Sequence, residues 1–111
     1  MNSRLPKLLI CCTTVGTKKG AQALAAAILE SRTAACVQIE GPIESHYVWK
    51  GQLQCEPEYR LWIKSTSDRQ EQLMEAVRSH HPYEVPQIVA FEASRVDGDY
   101  LQWAFEQTRP G

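Results

Sequence analysis

The sequence predicts an α+β fold of the ferredoxin-like type: a split β-α-β-β-α-β unit with an antiparallel sheet and an added C-terminal helix. Four segments are rich in apolar and β-branched residues, as strands are. Two amphipathic segments with helical periodicity lie between them in the order this unit requires. The chain has 111 residues, the length of one domain. We therefore expect a single domain over residues 1–111, of which residues 1–6 are a loose lead-in.

The first predicted strand, Leu8 to Val15, has an apolar or small residue at nearly every position. Both faces of such a strand need burial, so we expect it at the centre of the sheet. Residues 16–20 then lead into a helix with an apolar stripe at helical spacing, formed by Ala21, Leu24, Ala25, Ile28 and Leu29. The glycines and lysines of this turn do not have the spacing of a phosphate-binding loop.

A long β-hairpin follows, with strands from Ala35 to Trp49 and from Leu53 onward, joined at Lys50-Gly51. Gly41-Pro42 interrupts the first of these strands and predicts a bulge or an edge position. The thirteen residues from Val37 to Trp49 span about 43 Å, whereas a domain of this size is about 34 Å across. The hairpin should therefore overhang its own subunit.

The second helix is predicted to begin at Ser67, because Ser67-Asp68-Arg69-Gln70 has capping-box spacing. It should end near His80, because Pro82 excludes His81 from the helical region. A strand from Gln87 to Ala93 comes next. The turn Asp97-Gly98-Asp99 then leads into a short last helix with four large apolar residues, Tyr100, Leu101, Trp103 and Phe105.

The connection between the second helix and the last strand, residues 80–86, is the densest polar segment of the chain, and we call it the corner. Its two prolines fix two φ angles and remove two backbone donors. Its side chains include two imidazoles, a phenol and a carboxylate. Two interpretations are open: a stiff structural corner with a packed Tyr83 and solvated histidines, or a site for a ligand or a metal.

Composition excludes several classes of function. Hydrophobic residues make up 43% and charged residues 23% of the chain, which is ordinary for a globular protein. The net charge of −1 offers no basic surface for nucleic acid or for an anionic membrane. No apolar segment approaches the roughly 20 residues that a membrane-spanning helix needs. We expect neither a nucleic-acid partner nor a membrane.

The N-terminal residues and the cysteines indicate a cytoplasmic protein. The apolar run at residues 8–12 is too short for a signal peptide, and no small-residue cleavage motif follows it. The four cysteines, Cys11, Cys12, Cys36 and Cys55, contain no Cys-x-x-Cys pair. In a reducing compartment this pattern is typical of small buried apolar residues and disfavours a structural zinc site.

Unburied apolar surface predicts an oligomer. In the predicted architecture two helices cover one face of the sheet and leave the other open. The first strand is nevertheless apolar on both faces, and Trp62 lies on the polar side of its strand. Such a face usually marks an interface. The hairpin, which ends in Tyr47 and Trp49, is suited to adding onto the sheet of a neighbour.

Five segments, from about Leu8 to Glu106, together resemble the CutA divalent-cation tolerance proteins. These are Cys12-Thr13-Thr14, Ala34-Ala35-Cys36-Val37, Tyr47-x-Trp49-x-Gly51, residues 79–86 and Asp99-Tyr100-Leu101-x-Trp103. The resemblance implies a homotrimer with the architecture of PII signalling proteins, tolerance to divalent cations, copper above all, and no enzymatic reaction. It also implies metal ligands at Cys12, His80 and His81. The first loop, residues 16–20, lacks the acidic residues expected of the family.

Thiolate and imidazole ligands suit copper (Cu²⁺) or zinc and are poor ligands for magnesium and calcium. His80 and His81 are adjacent, so their side chains project in different directions, and we expect at most a weak or intersubunit site. The alternative is a PII-like signalling or adaptor module that binds a small ligand or a partner protein at subunit clefts. An acylphosphatase is disfavoured because the first loop has no arginine, and an RNA-recognition domain because residues 59–64 lack its aromatic pattern.

Overall fold

The computed structural model describes residues 5–111 and confirms the predicted α+β class. Its elements are β1 (Leu8–Val15), α1 (Lys18–Glu30), β2 (Cys36–Trp49), β3 (Gln52–Thr66), a 3-10 turn (Ser67–Arg69), α2 (Gln70–His80), β4 (Val89–Glu92) and α3 (Gly98–Gln107). The first four residues of the predicted lead-in lie outside the described residues. None of the helices within residues 5–111 is long and apolar enough to cross a membrane.

The sheet has the strand order β2-β3-β1-β4, and all of its neighbouring strands are antiparallel. β1 is central, as its composition predicts, with Cys11 opposite Ile63 on one side and Ala90 on the other. One face of the sheet packs against α1 and α2 and forms the core. The core residues are Leu9, Cys11, Val15, Ala21, Leu24, Ile28, Ala34, Leu61, Ile63, Leu73 and Val77.

The hairpin overhangs the rest of the subunit, as its length predicts. The molecule measures 51 × 27 × 21 Å, and the register of β2 against β3 shifts between Glu40 and Ile43, at the predicted Gly41-Pro42 bulge. No helix within residues 5–111 covers the strands beyond the bulge, so Val48 and Leu53 are 65% and 87% exposed. We call residues 44–57 the overhang.

The second face of the sheet carries the even-numbered residues of β1 and β3, among them Cys12 and Trp62. Trp62 Nε1 donates a hydrogen bond of 2.8 Å to Glu40. The helix α3 lies against one end of this face, where Thr108 Oγ1 is 3.1 Å from Thr66 Oγ1. Phe91 on β4 remains half exposed. The second face is therefore only partly open, which refines the expectation of a fully open face.

The predicted start of the second helix is wrong by three residues. The α-helix begins at Gln70, after the 3-10 turn, and Thr66, which precedes that turn, makes no side-chain capping bond. The Ser67 hydroxyl instead accepts a hydrogen bond of 2.9 Å from the Lys7 backbone N–H, and Asp68 pairs with Arg109 at 2.7 Å. A tertiary partner thus takes the Ser67 hydroxyl that a capping box would use. The predicted end of this helix at His80 is confirmed.

Candidate functional site

The corner is fixed to the end of β1 through His81. Pro82 excludes the helical conformation from His81, whose φ and ψ are −81° and 136°. This backbone conformation directs the chain back toward the sheet, where His81 Nε2 lies 3.0 Å from the Thr14 carbonyl oxygen and 3.0 Å from Thr13 Oγ1. On the other side of the ring, Nδ1 accepts a hydrogen bond of 3.1 Å from the Tyr83 backbone N–H.

These contacts determine the tautomer of His81. A carbonyl oxygen can only accept, so Nε2 carries the proton, and the lone pair of Nδ1 already accepts a hydrogen bond. Burial lowers the pKa of His81 below its ordinary value, and the bond to Thr14 and the charge of Glu58 oppose this only in part. His81 is therefore a neutral imidazole with both nitrogens in use. A metal ion could bind it only after one of these hydrogen bonds had broken.

Cys12 is buried in the central strand, on the second face of the sheet. It is paired with Trp62 on β3 and with Val89 on β4, and Gln87 Nε2 lies 3.9 Å from its sulfur. Burial raises the pKa of the Cys12 thiol, and the nearby Arg60 opposes this only in part. The thiol is the favoured form at neutral pH, although a metal ligand must be a thiolate.

His80 is the last residue of α2 and its side chain is exposed. Its Nδ1 lies 2.9 Å from the Ala76 carbonyl oxygen and therefore donates to it, so the acceptor nitrogen is Nε2. Within one subunit the ligand atoms of Cys12, His80 and His81 are not all within 4.8 Å of one another. The two histidines project differently, as their adjacency predicts. This ligand set remains a prediction.

A second contact fixes the corner to β3. The Tyr83 hydroxyl donates a hydrogen bond of 2.7 Å to the carboxylate of Glu58, and Glu58 is buried. Burial, followed by this hydrogen bond, raises the pKa of the Tyr83 phenol. The Tyr83 ring also meets the His81 ring edge-on, with 4.9 Å between centroids. Two side chains thus brace the corner against two strands, which supports its structural interpretation, except that His81 is not solvated.

Between the corner and the overhang lies a cavity of about 520 Å³, within the range of small-molecule sites. It is lined by three aromatic residues and two carboxylates, together with smaller side chains: Tyr47, Trp49, Tyr83, Glu58, Glu84, Thr14, Ser45, His46, Val85 and Gln87. The sequence analysis assigned Tyr47 and Trp49 to a neighbouring subunit. The structure shows that they also line this cavity within their own chain.

The sequence analysis missed one group of potential metal ligands, namely Glu44, His46 and Cys55 in the overhang. The signal was present in the sequence. Counting outward from the turn at Lys50-Gly51 places His46 opposite Cys55, and the pairing of the two strands has this register. Glu44, two residues before His46, projects from the same face of the hairpin.

Comparisons with known proteins agree with this fold. Residues 9–107 match the model of the CutA1 divalent ion tolerance protein family. The divalent-cation tolerance protein CutA of Citrobacter koseri is 34% identical over 99 residues, covering 89% of this chain and 86% of that protein. The crystal structure of CutA1 from Oryza sativa has a TM-score of 0.90 at 34% identity and covers 96% of this chain and 98% of that one.

A third similar protein is the periplasmic divalent cation tolerance protein CutA from Archaeoglobus fulgidus. Its structure has a TM-score of 0.87 at 27% identity, and the alignment covers 92% of this chain and 99% of that one. The family match extends from the start of β1 to the end of α3 and so includes the corner and the overhang. On this evidence the chain belongs to the CutA1 divalent ion tolerance protein family.

Proposed function

We propose that this chain is a non-enzymatic, single-domain, cytoplasmic homotrimer that contributes to divalent-cation tolerance by binding copper weakly, with zinc as an alternative ion. The proposed ligands are Cys12 and one or both of His80 and His81. One observation carries the proposal: the imidazole of His81 is held against Thr13 and Thr14, the residues that directly follow Cys12 on β1. Family membership supports the link to divalent cations.

The same geometry explains why such a site would be weak. His81 has to give up a hydrogen bond, which contributes about 0.5–1.5 kcal/mol. Cys12 has to lose its proton although burial raises its pKa. A soft or borderline ion such as copper or zinc can offset these costs through its bonds to sulfur and nitrogen, whereas a hard ion cannot. His80, whose side chain is at the surface, suits a ligand that completes the site from an adjacent subunit.

The trimer is supported by the apolar surface that a single subunit leaves exposed. Val89 and Phe91 are half exposed on the second face of the sheet, and Val48 and Leu53 are exposed in the overhang. Surfaces of this kind usually mark interfaces. Analytical ultracentrifugation at micromolar protein should give three times the chain mass of 12.6 kDa, and a monomer mass would contradict the trimer.

Calorimetric titration with Cu(II) and Zn(II), together with a Cu(I) competition assay, tests the metal site. Cys12→Ser and His81→Ala should each weaken copper binding while the fold and the oligomer mass remain unchanged. Cys36→Ser is the matched control, because it removes a partly buried cysteine of β2 that is not a proposed ligand. Equal copper affinities in the wild type and in both ligand variants would refute this site.

A PII-like binding function is the second candidate, and the cavity beside the corner favours it. Its three aromatic rings and two carboxylates suit a small, partly apolar ligand that carries hydrogen-bond donors or a positive charge. Mass spectrometry of small molecules that co-purify with the protein should identify such a ligand, and Trp49→Ala should abolish its retention. Retention unchanged in Trp49→Ala would exclude the cavity.

A further inference from the structure

We propose that the overhang carries a metal site of its own, formed by Glu44, His46 and Cys55, which we call the hairpin triad. It would take a zinc ion, or another divalent cation with affinity for sulfur, through one oxygen, one nitrogen and one sulfur atom. The hairpin triad shares no residue with the Cys12 site. It therefore goes beyond the proposed function and does not depend on it.

The backbone of the hairpin preorganises the triad. His46 on β2 and Cys55 on β3 are directly opposite each other in the antiparallel register, so their β-carbons are about 5 Å apart. Glu44 lies two residues from His46 along β2, on the same face of the strand. All three residues are exposed, and none of them contributes to the core. Within its own subunit, the fold thus positions three metal-ligating side chains together without using them for packing.

The distances between ligand atoms are close to those of a tetrahedral zinc site. His46 Nε2 is 3.6 Å from Cys55 Sγ, and ordinary Zn–N and Zn–S bond lengths at a tetrahedral angle require about 3.5 Å. Nε2 is 2.8 Å from Glu44 Oε1, where a shared zinc ion would require about 3.4 Å. The side chain of Glu44 is 77% exposed and can move by this amount. Among residues 5–111, this is the one set of three histidine, cysteine or acidic residues whose ligand atoms all lie within 4.8 Å.

The contact between His46 and Glu44 in the absence of metal contains a proton that a metal ion can replace. One proton must lie between His46 Nε2 and the Glu44 carboxylate, because two lone pairs would otherwise face each other at 2.8 Å. A cation can replace this proton and satisfy both lone pairs. When the metal binds, Cys55 releases its thiol proton to solvent. A neutral His46 keeps one proton, which moves from Nε2 to Nδ1 by way of water, so that the Nε2 lone pair can bind the metal. Acidification should therefore weaken binding.

The ligand types select the class of metal. One carboxylate oxygen is too few for calcium or magnesium, which take six or more oxygen ligands. Nitrogen, sulfur and oxygen together suit zinc, and three protein ligands leave a fourth position for water or for an external group.

The test uses the full-length protein, with Zn(II) in calorimetric titration and Co(II) as a spectroscopic probe. Wild type should bind one Zn(II) per chain at the triad, and Co(II) should produce a thiolate-to-metal charge-transfer band. His46→Ala and Cys55→Ser should each reduce zinc affinity at least tenfold, and Cys55→Ser should abolish the band. Glu44→Gln should cause a smaller, several-fold loss. Glu56→Gln removes an exposed carboxylate next to Cys55 on the opposite face of β3 and should change nothing.

A second variant separates this site from the Cys12 site. The double variant Cys12→Ser/His81→Ala should keep one equivalent of zinc and the charge-transfer band if the hairpin triad binds metal. If the double variant loses all zinc while Cys55→Ser and His46→Ala bind as well as wild type, the hairpin triad is refuted and the Cys12 site is supported. Absence of zinc binding in all of these proteins, with folding verified by circular dichroism, would refute the hairpin triad, while the Cys12 site is tested by its copper affinity.

Discussion

Two parts of the same hairpin, the part under the helices and the overhang, have the same alternation of apolar residues but differ in how deeply these residues are buried. Leu61 and Leu53 occupy the same face of β3, yet Leu61 is fully buried and Leu53 is 87% exposed. The difference is that α1 and α2 cover the first part and end before the second. Strand periodicity determines which side a residue faces, and the covering elements decide whether that side is buried.

The same contrast holds for chemistry. Cys12 lies on the central strand β1 and His81 in the corner against it, where the thiol is buried and both imidazole nitrogens are in hydrogen bonds. His46 and Cys55 lie in the overhang, where, among the described residues, their side chains form hydrogen bonds only with each other and with Glu44. Side chains that the fold does not use are more readily available to a ligand. For this reason the overhang is a candidate metal site alongside the corner.

The largest expected effect comes from replacing Leu61 and Leu53 by alanine, which tests the difference in burial between the two parts of the hairpin. Leu61→Ala should lower the free energy of unfolding by about 2–5 kcal/mol, since it leaves a cavity in a packed core. Leu53→Ala removes a side chain that is exposed within its own subunit, so the loss within the subunit should stay below about 0.5 kcal/mol. Any further loss should come from the proposed subunit interface and should depend on protein concentration. Urea unfolding at several protein concentrations, monitored by circular dichroism, measures both. A large loss in Leu53→Ala that does not depend on concentration would show that its own subunit packs Leu53 as tightly as Leu61.

A smaller effect is expected where the corner meets β3. Tyr83→Phe removes the donor to the buried Glu58 carboxylate, and a hydrogen bond to a charged group contributes about 1.5–3 kcal/mol. The same substitution in a Glu58→Gln background should cost much less, because the carboxylate is then absent. A double-mutant cycle in urea gives the coupling energy. Additive effects of the two substitutions would show that this contact does not brace the corner.

Much of this architecture follows from local sequence. The uniformly apolar β1 predicts its central position, Pro82 predicts the end of α2, and the length of the hairpin predicts the overhang. These features depend on residues that are close together in the chain. The start of α2 could not be predicted, because the Ser67 hydroxyl is bound by the Lys7 N–H, a partner 60 residues away. The same holds for His81, whose tautomer depends on Thr13 and Thr14 of β1.

The two candidate sites, the corner and the hairpin triad, also differ in how much of each can be predicted from local sequence. The corner is conspicuous in the sequence because its polar residues are contiguous, but contiguity does not show that His81 is held by internal hydrogen bonds. The hairpin triad is invisible to spacing rules, since Cys55 is nine residues from His46. It emerges only when the register of the hairpin is counted from the turn. A pair of metal ligands on a hairpin can be found in a sequence when its two strands are first paired across the turn and the residues opposite each other are then compared.

The smallest expected effect concerns pH and distinguishes the two histidines of the corner. The folded state lowers the pKa of His81, chiefly through burial, so the unfolded chain binds a proton at this residue more readily than the folded protein. The stability from a neutral His81 is therefore complete above the unfolded pKa of about 6.5 and declines as the pH falls below it, through the folded pKa. Urea unfolding with a chelator present, at a series of pH values from 7.5 to about 5, should show this decline in wild type and a flatter profile in His81→Gln. His80→Gln, which alters an exposed side chain, should keep the wild-type profile. If His80→Gln flattened the profile and His81→Gln did not, the assignment of His81 as the buried, neutral imidazole would be wrong.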